Sequence, residues 1–567
     1  MKLISFEITA DDGFRSLQKG FKIKFPHTVP PTNGTFYPRI LAGRNGSGKS
    51  NILEALANIF FHIDCMYCKN LPDSFSTDDE NEKVFDNRVC AVDEFILEYY
   101  IPIDSMVFLK KDIRHEKEAH VQIKKEVGTA PTISWLNQKD YTEPTKGLDN
   151  TVIRKLLPDY VLGYSSGDNE LLSLPFFKTR FIKFDEYADR LTQGYTYGFP
   201  PSPESRLTFL DHKFSQAIFL TNLLTQDEKV LKPITDIVEV NNVTQFRLII
   251  HQSKHLLKQN SNEEENQYVE LTSNLTTSIN NLKKCSTCYS YEEYQDENHP
   301  NQEGKFGEDL HYHLYLDFKV NEETKKAFKF YFTPIELFEL FQILLELDTY
   351  VITEADKKHV YKTKNIFINT DIVPYPPEHD KILRFKDLKI TKDDLPKSIY
   401  TKQLSDGEHQ LLHTMGLSLL YKNKRCLFLL DEPETHFNPD WKAQFISSIR
   451  ECFKGSNTKQ EMLITTHSPY LISDSKSSYV HIFEKDEKTQ EVICHEPEFQ
   501  TLGASVNKIT IQIFKTPITV GNYALEFLDE IEKRFEKGED SKTLIKELEE
   551  NLGDSVEKTL LIHKLEA

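Results

Sequence analysis

Apolar and polar residues alternate along Lys2-Leu3-Ile4-Ser5-Phe6-Glu7-Ile8 and Phe21-Lys22-Ile23-Lys24-Phe25. That period of two predicts half-buried strands. Arg39-Ile40-Leu41-Ala42 is a short apolar run that predicts a buried strand, and Asn51 to Phe61 carries apolar positions at helical spacing. Glu94 to Ile101, with Val121 and Ile123 flanking Gln122 and a run on to Trp135, predicts an antiparallel sheet. Further buried strands are expected at Asp159 to Tyr164, at Arg425-Cys426-Leu427-Phe428-Leu429-Leu430-Asp431-Glu432 and at Met462-Leu463-Ile464-Thr465-Thr466-His467. From about 185 to 395 the pattern changes. Aromatics, short helices such as Pro334 to Phe341 and polar loops such as Asn260 to Asn266 alternate without repeat. This reads as a large, mostly helical insertion with a smaller β component. The chain ends in amphipathic, acidic helices around Ala524 to Glu532 and Thr543 to Glu550. The expected divisions are 1–185, 186–394, 395–515 and 516–567, the first and third being halves of one α/β unit.

Between the strand at Arg39 and the helix at Asn51 lies Gly43-Arg44-Asn45-Gly46-Ser47-Gly48-Lys49-Ser50, which fits the phosphate-binding loop G-x-x-x-x-G-K-[ST]. Glycines let successive backbone N–H groups point into one concavity, and a helix N-terminus adds a field that favours phosphate. ATP is the expected ligand of Gly43 to Asn51, with Lys49 reaching its β- and γ-phosphates and Ser50 holding Mg²⁺. An apolar strand ending in Asp431 and Glu432 places two carboxylates at the carboxyl edge of a parallel sheet, where ligands of open α/β sheets bind. Asp431 is expected to share Mg²⁺ with Ser50, Glu432 to orient and deprotonate water, and His467 to contact the γ-phosphate.

Composition narrows the setting. The 567 residues exceed one ordinary core, and 39% hydrophobic content is ordinary for a globular protein. A net charge of −19 argues against a surface that coats nucleic acid throughout. The most basic stretch, Lys110-Lys111 through Arg114 and Lys117 to Lys124-Lys125, reads as a solvated hairpin or as an edge contacting DNA or RNA. No run approaches the roughly 18 apolar residues of a membrane span, and the N-terminus lacks a signal peptide's apolar core, so a cytoplasmic location is expected. Cys65/Cys68 and Cys285/Cys288 are C-x-x-C pairs that read as free thiols or as zinc ligands.

The order of the motifs is itself informative: phosphate loop, Leu404-Ser405-Asp406-Gly407-Glu408, Asp431-Glu432-Pro433, then Thr466-His467-Ser468. It resembles the ABC-type P-loop ATPase heads of the SMC, RecF and OLD group. The resemblance implies a mixed sheet flanked by helices, with an antiparallel β lobe. It also implies two heads closing on ATP as a homodimer or higher oligomer, the signature residues Ser405, Gly407 and Glu408 of one meeting the nucleotide held by the other. Tyr164-Ser165-Ser166-Gly167-Asp168-Asn169-Glu170, Asp431 to Pro439 and Leu502-Gly503-Ala504-Ser505-Val506 look like the ATPases of bacterial restriction-associated, Septu and retron defence systems, which partner an HNH nuclease. That likeness favours a ligand-proximal loop at 165–170, which spacing alone reads as a plain turn.

Three points depart from the family pattern. Asn438 stands where an Asp follows the catalytic Glu by six residues. The Gln loop is not evident, Gln122 being one position for it. The C-terminal metal-binding nuclease pattern of the OLD proteins is not found after His467, and no nuclease chemistry is expected of these residues. The competing functions are a defence ATPase controlling an effector, a RecF-like repair clamp on DNA, and a transporter subunit, which the Ser-Asp-Gly-Glu signature opposes. Phe14 or Arg15 could stack on adenine or serve an ordinary surface or core role.

Overall fold

The computed structural model describes residues 1–26, 36–68, 75–79, 82–103, 118–140, 148, 150–166, 172–192, 206–253, 271–295, 310–363, 376–393, 395–456, 460–515 and 520–566. The chain begins with β1 (Lys2–Ile8), β2 (Lys22–Lys24), β3 (Arg39–Gly43) and helix α1 (Lys49–Cys65). A ribbon of β4 (Ser76–Asp79) and β5 (Glu82–Phe85) precedes β6 (Phe95–Pro102), β7 (Glu118–Lys125) and β8 (Thr132–Trp135). Then come α2 (Asn150–Leu156), β9 (Tyr160–Ser165), α3 (Leu174–Thr192) and β10 (Leu207–Phe209). The stretch read as an insertion continues with α4 (Ser215–Thr225), α5 (Glu228–Val238), β11 (Val240–Ser253), α6 (Ser273–Cys285), β12 (Cys288–Gln295) and β13 (Leu310–Lys319). It closes with α7 (Glu322–Tyr331), α8 (Pro334–Glu346), α9 (Glu354–Lys362) and β14 (Leu383–Lys392). After β15 (Ile399–Tyr400) follow α10 (Asp406–Leu420), β16 (Cys426–Asp431), α11 (Pro439–Cys452), β17 (Glu461–Thr466), α12 (Pro469–Ser473), β18 (Val480–Lys485) and β19 (Val492–His495).

The central sheet has the order β10-β9-β16-β17-β3-β18-β19, parallel throughout except for β19. Every residue of β3, β9, β16 and β17 is buried. Helices cover both faces of such strands, which is why they are apolar runs rather than alternating ones. β3 has no sequence neighbour beside it: it lies between β17 and β18, strands that follow it by over 400 residues. β10, inside the stretch read as an insertion, is an edge strand of this sheet.

The second sheet, β2-β1-β6-β7-β8, is antiparallel, and one face of its alternating strands is buried. A buried hydrogen bond joins it to the central sheet: Glu461, ion-paired with Arg39 Nε at 3.1 Å between β17 and β3, also accepts from the Leu3 amide of β1 at 3.2 Å. Lys125, read as part of a basic surface, points inward and donates to Asp93 Oδ1 at 2.7 Å; Lys110, Lys111, Arg114 and Lys117 lie outside the described residues. The third sheet, β12-β13-β11-β14-β15, lies largely in the stretch read as an insertion, whose helix α4 packs on α10 so closely that a Cβ on Gly416 would lie 2.6 Å from Ile218.

The chain divides into two compact units, residues 1–503 and 504–567. The second comprises α13 (Val506–Gln512), α14 (Asn522–Glu536), α15 (Ser541–Asn551) and α16 (Val556–Glu566), with a core of Leu528, Ile531, Leu544, Leu548, Leu561 and Leu565. No helix among the described residues is long and apolar enough to cross a membrane.

Candidate nucleotide site

The parallel register of β9, β16, β17 and β3 brings their carboxyl ends level: Asp431 pairs with Ser165 on one side and Thr465 on the other, and Thr465 with Leu41. Residues from opposite halves of the chain therefore meet at one edge. The loop leaving β3 turns under glycines that nothing larger could replace. Gly43 has φ +150°, and a Cβ there would lie 2.2 Å from the Phe483 carbonyl oxygen; Gly48, at φ +95°, caps α1.

Lys49 is folded back into its own loop. Its Nζ donates to the carbonyls of Gly43 at 2.9 Å and Arg44 at 3.0 Å, and lies 3.2 Å from His467 Nε2. Burial lowers its pKa to about 8, against the opposing pull of Glu432 and Asp431. Ser50 Oγ donates to Asp431 Oδ1 at 2.8 Å across a sequence separation of 381. Thr465 donates to the same carboxylate oxygen. Burial raises the Asp431 pKa while the Thr465 and Ser50 hydrogen bonds oppose it.

Glu432 sits at φ +48°, a left-handed conformation uncommon for a side chain of this size. Its amide donates to Thr465 Oγ1 at 3.1 Å, and its carboxylate Oε1 is 2.8 Å from His467 Nε2. The His467 hydrogen bond holds the Glu432 pKa below the ordinary carboxylate value, against partial burial. The structure thus joins Lys49, Ser50, Asp431, Glu432 and His467 in one contact network.

Past Glu432 the chain crosses the mouth of the sheet. Glu434 is buried and its Oε1 accepts from Thr466 Oγ1, which in turn accepts from the Ser468 amide at 2.9 Å. Burial raises the Glu434 pKa to about 7. Thr435 Oγ1 lies 2.7 Å from Ser166 Oγ, so the described part of the 165–170 turn touches this loop; residues 167–170 lie outside the described ones. The His436 amide donates to Gln410 Oε1 at 3.0 Å. Thr465, Thr466, Glu434 and Gln410 received no role from the motifs. Their signal was only a threonine pair before a histidine and polar residues inside otherwise apolar elements.

The signature residues form the start of α10. Ser405 caps it, its Oγ accepting from the Glu408 amide at 3.3 Å while Glu408 accepts from the Ser405 amide at 2.7 Å, a reciprocal capping box. Glu408 is also paired with Lys392 of β14 at 2.5 Å. Its carboxylate is thus occupied within the head. Gly407 lies against the loop after Glu432, where a Cβ would be 2.7 Å from the His436 carbonyl oxygen.

Asn438 caps α11, accepting from the Trp441 amide at 2.8 Å. Asn and Asp cap equally well, so the exchange costs the helix nothing. Arg15, at φ +54°, is paired with buried Glu54 of α1 at 2.8 Å, and Ser16 accepts from Asn51 Nδ2 at 2.7 Å. That ties the first turn to the phosphate-loop helix. Gln122 donates to Glu98 at 2.8 Å on the antiparallel sheet. All eight cysteines are free thiols, and no metal-holding group of three or more His, Cys, Asp or Glu occurs among the described residues.

Residues 380–473, which span β14, α10, β16, α11 and β17, match the family described as "AAA domain, putative AbiEii toxin, Type IV TA system". Among solved structures, the SMC head domain from Thermotoga maritima aligns at 11% identity over 88% of this chain and 100% of that one, with a TM-score of 0.31. An SMC head bound to the C-winged helix domain of ScpA aligns at 11% identity over 88% and 98%, with a TM-score of 0.32. The phosphate loop, the helix from Asp406, the acidic end of β16 and the histidine after β17 are thus assembled at one parallel sheet, and part of this assembly lies within the stretch that matches the AAA family model.

Proposed function

We propose that the protein is the ATP-binding and ATP-hydrolysing subunit of a bacterial, cytoplasmic anti-phage defence system, in which ATP-driven closure of two heads controls a separate effector nuclease of HNH type. The observation that carries the ATPase reading is the Lys49–His467–Glu432 contact beside the Ser50–Asp431 pair. The defence assignment rests on the likeness of Tyr164 to Glu170 and of Asp431 to Pro439 to defence ATPases, and on the toxin–antitoxin wording of the matching family.

The donor set suits a nucleotide with Mg²⁺. Ser50 and Asp431 offer two oxygens 2.8 Å apart, a hard pair suited to that ion, and buried Asp431 carries a desolvation penalty that a cation would offset. When bound, Mg²⁺ supplies charge neutralisation for the β- and γ-phosphates. Lys49 leaves the carbonyls of Gly43 and Arg44 for the phosphates, whose charge favours its protonated form. Glu432, ionised at neutral pH, is a weak base, so it acts by orienting water and takes the proton only as the bond to phosphorus forms. His467 holds the Glu432 carboxylate and meets the γ-phosphate. Ser405 and Gly407 of the second head complete the site from outside, with the Ser405 hydroxyl and the α10 N-terminus directed at phosphate.

Glu432→Gln is expected to lower the turnover rate by about 10²–10⁴-fold while leaving ATP affinity intact. It should accumulate as an ATP-bound dimer in size-exclusion chromatography with light scattering, whereas Lys49→Ala stays open. Hydrolysis by Glu432→Gln at the wild-type rate would remove Glu432 from its assigned role. Affinity purification of Glu432→Gln with ATP from the native host tests the effector arm. A stoichiometric small nuclease supports it, and recovery of DNA without protein points to a repair clamp.

A further inference from the structure

The third sheet ends in a cluster of exposed rings and lysines built from β12 and the last turns of α6 and α7. Tyr289 and Tyr291 are alternate residues of β12 and so share one face of the sheet. They are 56% and 49% exposed, with ring centroids 6.3 Å apart. Lys283 of α6 lies over both, its Nζ 5.9 Å from the Tyr289 ring and 5.0 Å from the Tyr291 ring. Its neighbour Lys284 lies 5.2 Å from the ring of Tyr331 at the end of α7. Phe330, 81% exposed, stands edge-on to Tyr331 with centroids 4.9 Å apart. Rings and cations therefore follow one another without a break across three elements.

Among the described residues, the charges in this cluster are not spent on carboxylates. Lys283 is hydrogen-bonded to Asn280 Oδ1 at 3.2 Å and to the Tyr291 hydroxyl, and Lys284 to Asn281 Oδ1 at 3.4 Å. No ion pair to either lysine occurs among the described residues, whereas Lys329 on the same helix α7 is paired with Asp227 at 2.6 Å. In a chain of net charge −19, two adjacent unneutralised lysines among exposed aromatic rings call for an occupant that is anionic and also presents flat apolar faces. A carboxylate-rich peptide has the charge without the faces. Duplex nucleic acid has the charge but hides its base faces in the stack. Single-stranded nucleic acid offers both.

We propose that the Tyr289–Tyr291–Lys283–Lys284–Phe330 cluster is a binding platform for single-stranded nucleic acid. Bases stack on the exposed ring faces, and the two lysines meet backbone phosphates. The platform lies on the insertion and stands independently of the defence reading: it needs neither nucleotide hydrolysis nor a nuclease partner.

Fluorescence anisotropy of the full-length protein tests it, using labelled oligo-dT and oligo-rU of about 20 nucleotides and a duplex of equal length. Single strands are expected to bind and the duplex far more weakly; whether dT or rU is preferred separates DNA from RNA as the occupant. Tyr289→Ala with Tyr291→Ala should weaken binding about tenfold or more, and the Tyr→Phe pair should keep it, because the ring face is retained. Lys283→Gln with Lys284→Gln should reduce the slope of log affinity against log salt by about 1.4, a readout that does not depend on the aromatic variants folding normally. Failure of the wild-type protein to bind single strands overturns the proposal. So does wild-type affinity in the alanine pair at unchanged melting temperature, an unaltered salt slope in the glutamine pair, or equal binding of duplex. A poly-glutamate peptide that displaces the oligonucleotide equally well would show plain charge attraction and would also sink it.

Discussion

At the residue scale, the side chain with the most unusual environment is Glu434. One carboxylate oxygen is held by Thr466, and the other is buried with no hydrogen bond to another residue among the described ones. An isolated charge in that position is costly, and burial accordingly moves the pKa from 4.5 to about 7. The folded form holds a proton that the unfolded chain releases near pH 4.5, so this group destabilises the fold progressively as pH rises from about 4.5 to 7. Glu434→Gln keeps an acceptor for Thr466 and removes the ionisation. It is expected to raise the melting temperature at pH 8 and to leave it nearly unchanged at pH 5. Glu434→Ala, which strands the Thr466 hydroxyl, should lower it at both. Thermal melts of the three proteins at the two pH values read this directly. The motif strings contain Glu434 but say nothing of it, because its neighbour Thr466 comes from a different strand.

At the scale of elements, the start of α10 and the loop between β16 and α11 act as one piece. Gly407 meets the His436 carbonyl, Gln410 holds the His436 amide, and Glu432 begins the loop that both brace. Gly407→Ala must push that loop by a few tenths of an ångström or more, and Glu432 moves with it. The expected result is turnover reduced by at least tenfold with ATP affinity retained, measured by steady-state hydrolysis and by nucleotide titration. Asn438 offers the contrasting case. Its side chain caps α11, so Asn438→Ala should cost about 1 kcal/mol in chemical denaturation while Asn438→Asp costs almost nothing.

At the scale of the whole molecule, three histidines are buried in the neutral form. Burial lowers the pKa of His62 to about 4, of His413 to about 4 and of His481 to about 3. The unfolded chain takes up protons at these positions from about pH 6.5 downward, and the folded chain refuses them until near pH 4, so stability falls across that window. Glu434 works in the opposite sense between 4.5 and about 7, as do Asp348, raised by burial to about 6, and Glu54, Asp64, Asp431 and Asp474, which burial also raises. Denaturation followed from pH 7.5 to 4.5 is expected to fall more steeply with acid in Glu434→Gln than in the wild type, because one counteracting carboxyl is gone. An identical pH profile in the two proteins would mean that the Glu434 carboxyl is hydrated rather than buried.

Much of this protein was readable from the chain alone, for a definite physical reason. A phosphate loop, a helix cap and an apolar strand ending in carboxylates are local devices, specified by a handful of consecutive residues whose backbone and burial needs no other composition meets. Hence Gly43 to Ser50 and the buried runs of β16 and β17 were legible, whereas the capping of α10 by Ser405 and Glu408 was not read from the signature they form. Contacts across sheets and between halves of the chain were not, since they depend on strand order. Only the placement of β3 beside β17 joins Lys49 to His467, 418 residues away, and only the pairing of β16 with β17 gives Asp431 and Glu434 their threonine partners. The same holds for charge. Lys125 read as surface until the register of β7 turned it inward to Asp93, while the exposed rings around Lys283 and Lys284 are gathered only by the packing of α6, α7 and β12.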